Sequence, residues 1–214
     1  MPREFTKRLL VEGAKDKRLF PYLMEKNGVN WPKGDEPVDI RDLGQKLIAK
    51  HDASAILKES GLRSLGIVLD ADDNPEATWE TIKSRFQDAF NDMPADIRAE
   101  GYISAANSHG IRLGVWIMPD NQTSGMLESF LKLLVRDNQK LLFEFAETVC
   151  TTAKTEFDAP FKDVHRDKAT MHAFLAWQDE PGRQLHEAID HAVLDPKSPQ
   201  SIPFVTWFRD LFEV

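Results

Sequence analysis

The stretch LGIVLDADDNP, from Leu65 to Pro75, constrains this chain more than any other. Its apolar residues run on without the alternation of a half-exposed strand, which predicts a strand covered on both faces, as inside a parallel sheet. Neighbouring parallel strands need long crossover connections, usually helical. The run stops in acids, Asp70, Asp72 and Asp73, before Asn74-Pro75. Two other apolar runs behave alike: Thr6 to Val11 ends at Glu12 and turns at Gly13, and Ile111 to Asn121 closes with Pro119-Asp120-Asn121. Pro37 to Ile40 reads as a further short strand.

Helical spacing fills the gaps between these runs. Leu19, Phe20, Leu23 and Met24 predict a helix over 15–26, with Pro21 inside the pattern delaying or kinking it and Asn27-Gly28 stopping it. Further helices are expected over Leu43–Glu59, Ala77–Phe90 and Ser124–Val135. Beyond Asp137 the pattern is helical throughout, over Gln139–Thr155, Lys162–Trp177, Arg183–Ala192 and Pro203–Phe212. The expectation is an α/β fold: residues 1–136 form a mostly parallel sheet flanked by helices, and residues 137–214 an all-helical C-terminal extension packed on it.

Apolar residues make up 42% of the 214 residues and charged residues 29%, enough for a full core. No apolar run reaches the roughly 18–20 residues that cross a bilayer. The opening MPREFTKRLL lacks a signal-peptide core, and the one cysteine, Cys150, excludes an internal disulfide or a cysteine zinc cluster. The expected setting is cytoplasmic, without a membrane. A net charge of −8 argues against a protein that coats nucleic acid through a broad basic face, but not against an enzyme whose acids hold metal.

Ligands of open α/β sheets gather at the carboxyl ends of the strands. Glu12, then Asp70 with Asp72 and Asp73, then Asp120 fall there. Asp16 lies one turn into the first helix, and Glu128 on the helix after the third acid-ended strand. Oxygen donors without histidine or cysteine suit Mg2+ or Mn2+. Two such ions about 4 Å apart can clamp the attacking and leaving oxygens of a phosphodiester. Each acid also has an ordinary role open to it. An Asp after a strand often caps the next helix, Asp73 and Asp120 suit turns, and Glu128 can face solvent beside Met126, Leu127, Phe130 and Leu131. Glu12, directly before glycine, makes a poor cap.

VEGAKD followed by IVLDADD resembles the Toprim domain of topoisomerases, primases and related nucleases. The resemblance spans about residues 6–136 and implies a mostly parallel four-stranded sheet with magnesium-dependent chemistry on nucleic acid. Glu12, Asp70 and Asp72 stand at its signature positions. Asp16 is similar to the added acid of overcoming-lysogenisation-defect nucleases and small-RNA-maturation ribonucleases, and Glu128 matches their downstream acid. A lysine near the C-terminus steadies developing charge in such nucleases, which implies Lys168. The segment DKATMHAFLAWQDEPG resembles small stand-alone Toprim-like proteins of uncharacterised function.

Topoisomerase chemistry needs a nucleophilic tyrosine, and neither Tyr22 nor Tyr102 has that context. A primase needs a zinc module that one cysteine cannot build. Metal-assisted hydrolysis of nucleic acid remains, with Glu12, Asp16, Asp70, Asp72 and Glu128 as ligands. The resemblance further implies that Glu12 serves as acid or base and that Lys168 supports the charge, and it leaves room for a protein partner such as an ATPase. KDKR, Lys15 to Arg18, either contacts phosphates or is a solvated helix start. His165, His172, His186 and His191 form no second metal site, since His186 and His191 are five apart. Two other classes compete. A haloacid-dehalogenase-like phosphatase would use Asp70 as nucleophile, although Asp73 replaces the usual threonine or valine and a strand–helix unit with its own acid precedes the motif. A non-catalytic module binding nucleic acid or nucleotide also fits, and the negative charge favours it somewhat.

Overall fold

The computed structural model describes residues 5–43 and 53–214. The elements run β1 (Lys7–Val11), α1 (Ala14–Lys26), β2 (Asp39–Asp42), α2 (Ala53–Leu57), β3 (Ser64–Asp70), α3 (Pro75–Phe86), β4 (Tyr102–Ile103) and β5 (Arg112–Met118). Five helices follow: α4 (Leu127–Lys132), α5 (Lys140–Glu156), α6 (Arg166–Ala176), α7 (Leu185–Asp190) and α8 (Ile202–Phe212). Single 3-10 turns lead into α5, α6 and α8. No helix among the described residues is long and apolar enough to cross a membrane.

The strands form one mixed sheet in the order β2-β1-β3-β5-β4. The first four are parallel, and β4 pairs antiparallel with β5. The sheet therefore has five strands among the described residues, one more than the four expected. The extra strand, Tyr102–Ile103, is too short to carry an alternating pattern, so tertiary contacts define it. Tyr102 donates its hydroxyl to Asp92 at 2.8 Å, and its carbonyl accepts the Trp207 indole N–H at 3.1 Å.

The helices agree with the apolar spacing, with shifted ends. Helix α1 begins at Ala14 and continues through Pro21 rather than starting late. Asn74 caps α3, accepting the Ala77 amide at 3.0 Å, with Pro75 at the first helical position. The expected helix over Leu43–Glu59 falls partly on residues 44–52, outside the described residues, and Ala53–Leu57 is helical.

Alternation along the strands divides the core in two. Leu9, Val11, Val68, Trp116 and Met118 point into a layer built by α1 and α4 to α8. Leu10, Leu65, Ile67, Val115 and Ile117 point into a second layer with α2 and α3. Both faces of β3 are covered, which is why its apolar run does not alternate.

Helix α8 lies against the middle of the sheet. Gly66 and Gly114 are register partners on β3 and β5. A methyl group on Gly66 would fall 2.7 Å from Leu9 Cδ1 and 2.8 Å from Phe212 Cζ, and one on Gly114 would overlap the Leu211 side chain. The two bare backbones thus form the bed into which Leu211 and Phe212 settle. At the other end of α8, the Phe204 ring lies 5.1 Å from Phe20 of α1, 5.3 Å from Trp116 of β5 and 5.7 Å from Phe130 of α4. One ring joins three elements.

Phe204→Ala should cost about 3–5 kcal/mol in denaturant unfolding, the usual penalty for emptying a buried aromatic position. Gly66→Ala should cost about 1–3 kcal/mol through overpacking. An unchanged midpoint for Phe204→Ala would contradict the role given to α8.

Candidate acidic site at the strand ends

The parallel strands deliver their carboxyl ends to one edge, and the acids collect there. Beyond Val11 the chain turns at Glu12. Gly13, extended, precedes α1 and gives its amide to Asp16 Oδ2 at 3.1 Å. Asp16 therefore serves its own helix start, where the helix dipole favours a negative group. It is nonetheless only 7% exposed, and burial, then Glu12 and Glu128, push its carboxyl up to about 7.

Glu12 crosses to the neighbouring strand end and accepts the Asp70 amide on Oε2 at 3.1 Å. Its carboxyl is raised by burial and by Asp72, against the lowering pull of the Asp70 amide and Lys168. Asp70, the last residue of β3, accepts the Leu127 amide on Oδ1 at 2.9 Å and so fastens the start of α4. Burial, then Glu12, Asp16 and Glu128, push it up to about 9. Among the described residues, no hydrogen bond occupies the second oxygen of either Glu12 or Asp70.

Asp72 is more peripheral. Its backbone adopts the left-handed region, φ 49°, and exchanges hydrogen bonds of 2.9 and 2.8 Å with Gly125. Its exposed carboxylate acts on Glu12 from the rim. Glu128 faces inward, 3% exposed, with Lys15 Nζ 3.2 Å from Oε1. Lys168, on α6, is near enough for its charge to lower Glu12.

Glu12, Asp16, Asp70 and Glu128 are thus brought together, with Asp72 and Lys168 beside them. Asp120 and Asp73 are not. Asp120 closes its own turn, accepting the Gln122 and Thr123 amides at 3.0 and 2.8 Å and the Thr123 hydroxyl at 2.9 Å. Asp73 lies exposed ahead of the Asn74 cap.

Two further residues belong to the site's wall. Lys15 bridges Glu128 and His172, its Nζ 2.9 Å from His172 Nε2. The His172 imidazole is held below its usual pKa by partial burial and Lys15, with Glu128 opposing and Lys168 adding. Lys168 and His172, four residues apart on α6, share one helix face, but no local sequence signal brings Lys15 and His172 together beside Glu128. As the side chains stand, no three His, Cys, Asp or Glu groups among the described residues are arranged to hold an ion.

The chain matches the model of DUF3226, a protein family of unknown function, over residues 6–213, and it belongs to that family. No curated protein and no solved structure matches it significantly.

The raised carboxyls predict a pH dependence for the metal-free protein. A carboxyl whose pKa is higher folded than unfolded takes up its proton more readily in the native state. Its stabilising contribution is complete below the ordinary value of 3.8 and disappears as pH rises through about 7 for Asp16 and about 9 for Asp70. With chelator present, the gain in thermal stability of Asp70→Asn over wild type should grow as pH rises toward 9. A pH-independent difference would contradict the burial of an uncompensated charge at Asp70.

Proposed function

We propose that this DUF3226 protein performs divalent-metal-dependent hydrolysis of phosphodiesters in nucleic acid at the acids on the ends of β1 and β3. One observation carries the proposal: Glu12, Asp16 and Asp70 are held together, Asp16 buried and the other two half-buried, with their pKa values raised by burial and by neighbouring carboxylates. A fold keeps such an arrangement when a cation supplies the missing charge.

The donor chemistry fits a hard ion. All five candidates, Glu12, Asp16, Asp70, Asp72 and Glu128, offer carboxylate oxygen. Glu12 and Asp70 each commit one oxygen to a backbone amide and keep the other open, so either can ligate without losing the bond that fixes it. As they stand the side chains do not form a set of three ligands among the described residues, so holding an ion would require them to move closer. Mg2+ or Mn2+ would be held by these residues and would supply charge neutralisation on the phosphoryl oxygens and a lowered pKa for the attacking water.

The chain's own groups have separate tasks. Glu12, its pKa raised, is suited to pass a proton at Oε1. Lys168 would support negative charge developing on phosphate, a role that its electrostatic influence on Glu12 supports. The Toprim resemblance of VEGAKD and IVLDADD supports nucleic acid as substrate. The phosphatase reading is weaker, because Asp73 stands where such enzymes usually carry threonine or valine and a strand–helix unit with its own acid precedes the motif.

Labelled single- and double-stranded DNA and RNA, incubated with Mg2+ or Mn2+, should be cut by the wild type and spared when chelator is added. Glu12→Gln should slow cleavage by about 10²–10⁴-fold, the usual contribution of a positioned acid or base, and Asp70→Asn should abolish it. Cleavage that needs no metal, or that survives both changes, would sink the nuclease. A phosphoaspartate trapped at Asp70 would move the assignment to a phosphatase.

A further inference from the structure

Glu128 is the most buried acid of the cluster, yet a counter-charge reaches it from the surface. Its carboxylate is 4% exposed and the Lys15 side chain 43%. Among the described residues, Lys15 is the cation in ion-pair contact with the proposed ligand acids. The same ammonium is 2.9 Å from His172 Nε2. An ammonium only donates, so that nitrogen accepts and the imidazole is neutral, its proton on Nδ1. Lys15 therefore has two partners on different helices, a carboxylate on α4 and a ring nitrogen on α6.

This is an arrangement suited to exchange. The side chain is half in solvent and flexible, and it can leave Glu128 without losing every acceptor. Its backbone lies in the first turn of α1, next to Asp16, so its movement needs no shift of the helix. We propose that Lys15 is an exchangeable counter-ion: it neutralises Glu128 while the acids hold no divalent ion, and it yields that carboxylate when one arrives, keeping its bond to His172. The proposal rests on the metal reading above. It adds a residue that sets how tightly, and for which charge, the acids take a cation. A monovalent ion offers Glu128 no more charge than the ammonium it would replace, whereas a divalent ion does. Lys15 thereby selects against Na+ and K+.

Calorimetric titration of Mn2+ into wild type, Lys15→Met, Lys15→Gln and Asp70→Asn tests this. Both Lys15 variants should bind Mn2+ roughly three- to tenfold more tightly than wild type, the scale of a partly exposed ion pair. Excess K+ should weaken their Mn2+ binding more than it weakens that of wild type. In metal-free buffer Lys15→Met should melt lower than wild type, and adding it to Glu128→Gln should lower the melting temperature no further. Equal or weaker Mn2+ binding by both Lys15 variants, with binding still lost in Asp70→Asn, overturns the role of Lys15 and leaves the metal reading intact. Absence of Mn2+ binding in wild type and Lys15 variants alike overturns both.

Discussion

The acid cluster depends on the parallel pairing of β1 with β3. That register sets Val11 beside Val68. The first strand then ends while the second continues to Asp70, so Glu12 spans the step between them and takes the Asp70 amide. Asp70 in turn takes the Leu127 amide and fixes the start of the helix that carries Glu128. Two hydrogen bonds from backbone amides to carboxylates thus join two strands and a helix. An antiparallel pair would have sent the two strand ends to opposite edges of the sheet and separated the acids.

Crowding carboxylates in a poorly solvated place costs stability, since burial and like charge both disfavour ionisation. The fold does not treat all its buried charges this way. Arg8, 4% exposed in the middle of β1, is held by Asp39 at 3.0 Å and by Glu59. A buried charge with two counter-charges is ordinary structural practice; three raised carboxyls, of which Lys168 acts on Glu12 while Lys15 pairs with neighbouring Glu128, are not. Stability surrendered in one place and supplied elsewhere is typical of functional sites. Here the supply comes from the aromatic cluster of Phe20, Trp116, Phe130 and Phe204, which ties together α1, α4, α8 and β5.

Much of this architecture is readable in the sequence, because long periodic runs carry their own signal. The four parallel strands and the C-terminal helices follow from continuous or helically spaced apolar residues. Tyr102 and Ile103 carry no such signal, because two residues have no period. Glu12, Asp16 and Asp70 are readable since each follows an apolar run on elements whose order is clear. Glu128 is ambiguous, because it borders the stripe of Leu127, Phe130 and Leu131 and spacing alone allows either orientation. The parts played by Lys15 and His172 depend on three helices meeting, which no local pattern records. The same holds for Gly66 and Gly114, whose pairing exists only in the register between β3 and β5.

The seating of α8 on those glycines also orders events in time. Synthesis delivers β1, β3 and β5 long before Ile202–Phe212, so one face of the sheet waits uncovered while the intervening helices emerge. Phe204 is what braces α1 and α4, the helices that carry Asp16, Lys15 and Glu128, against that face. Most of the acids are thus made early but firmly arranged late. The nascent chain carries its clustered acids before the helix that braces their supports has emerged, and α8 then completes that part of the core.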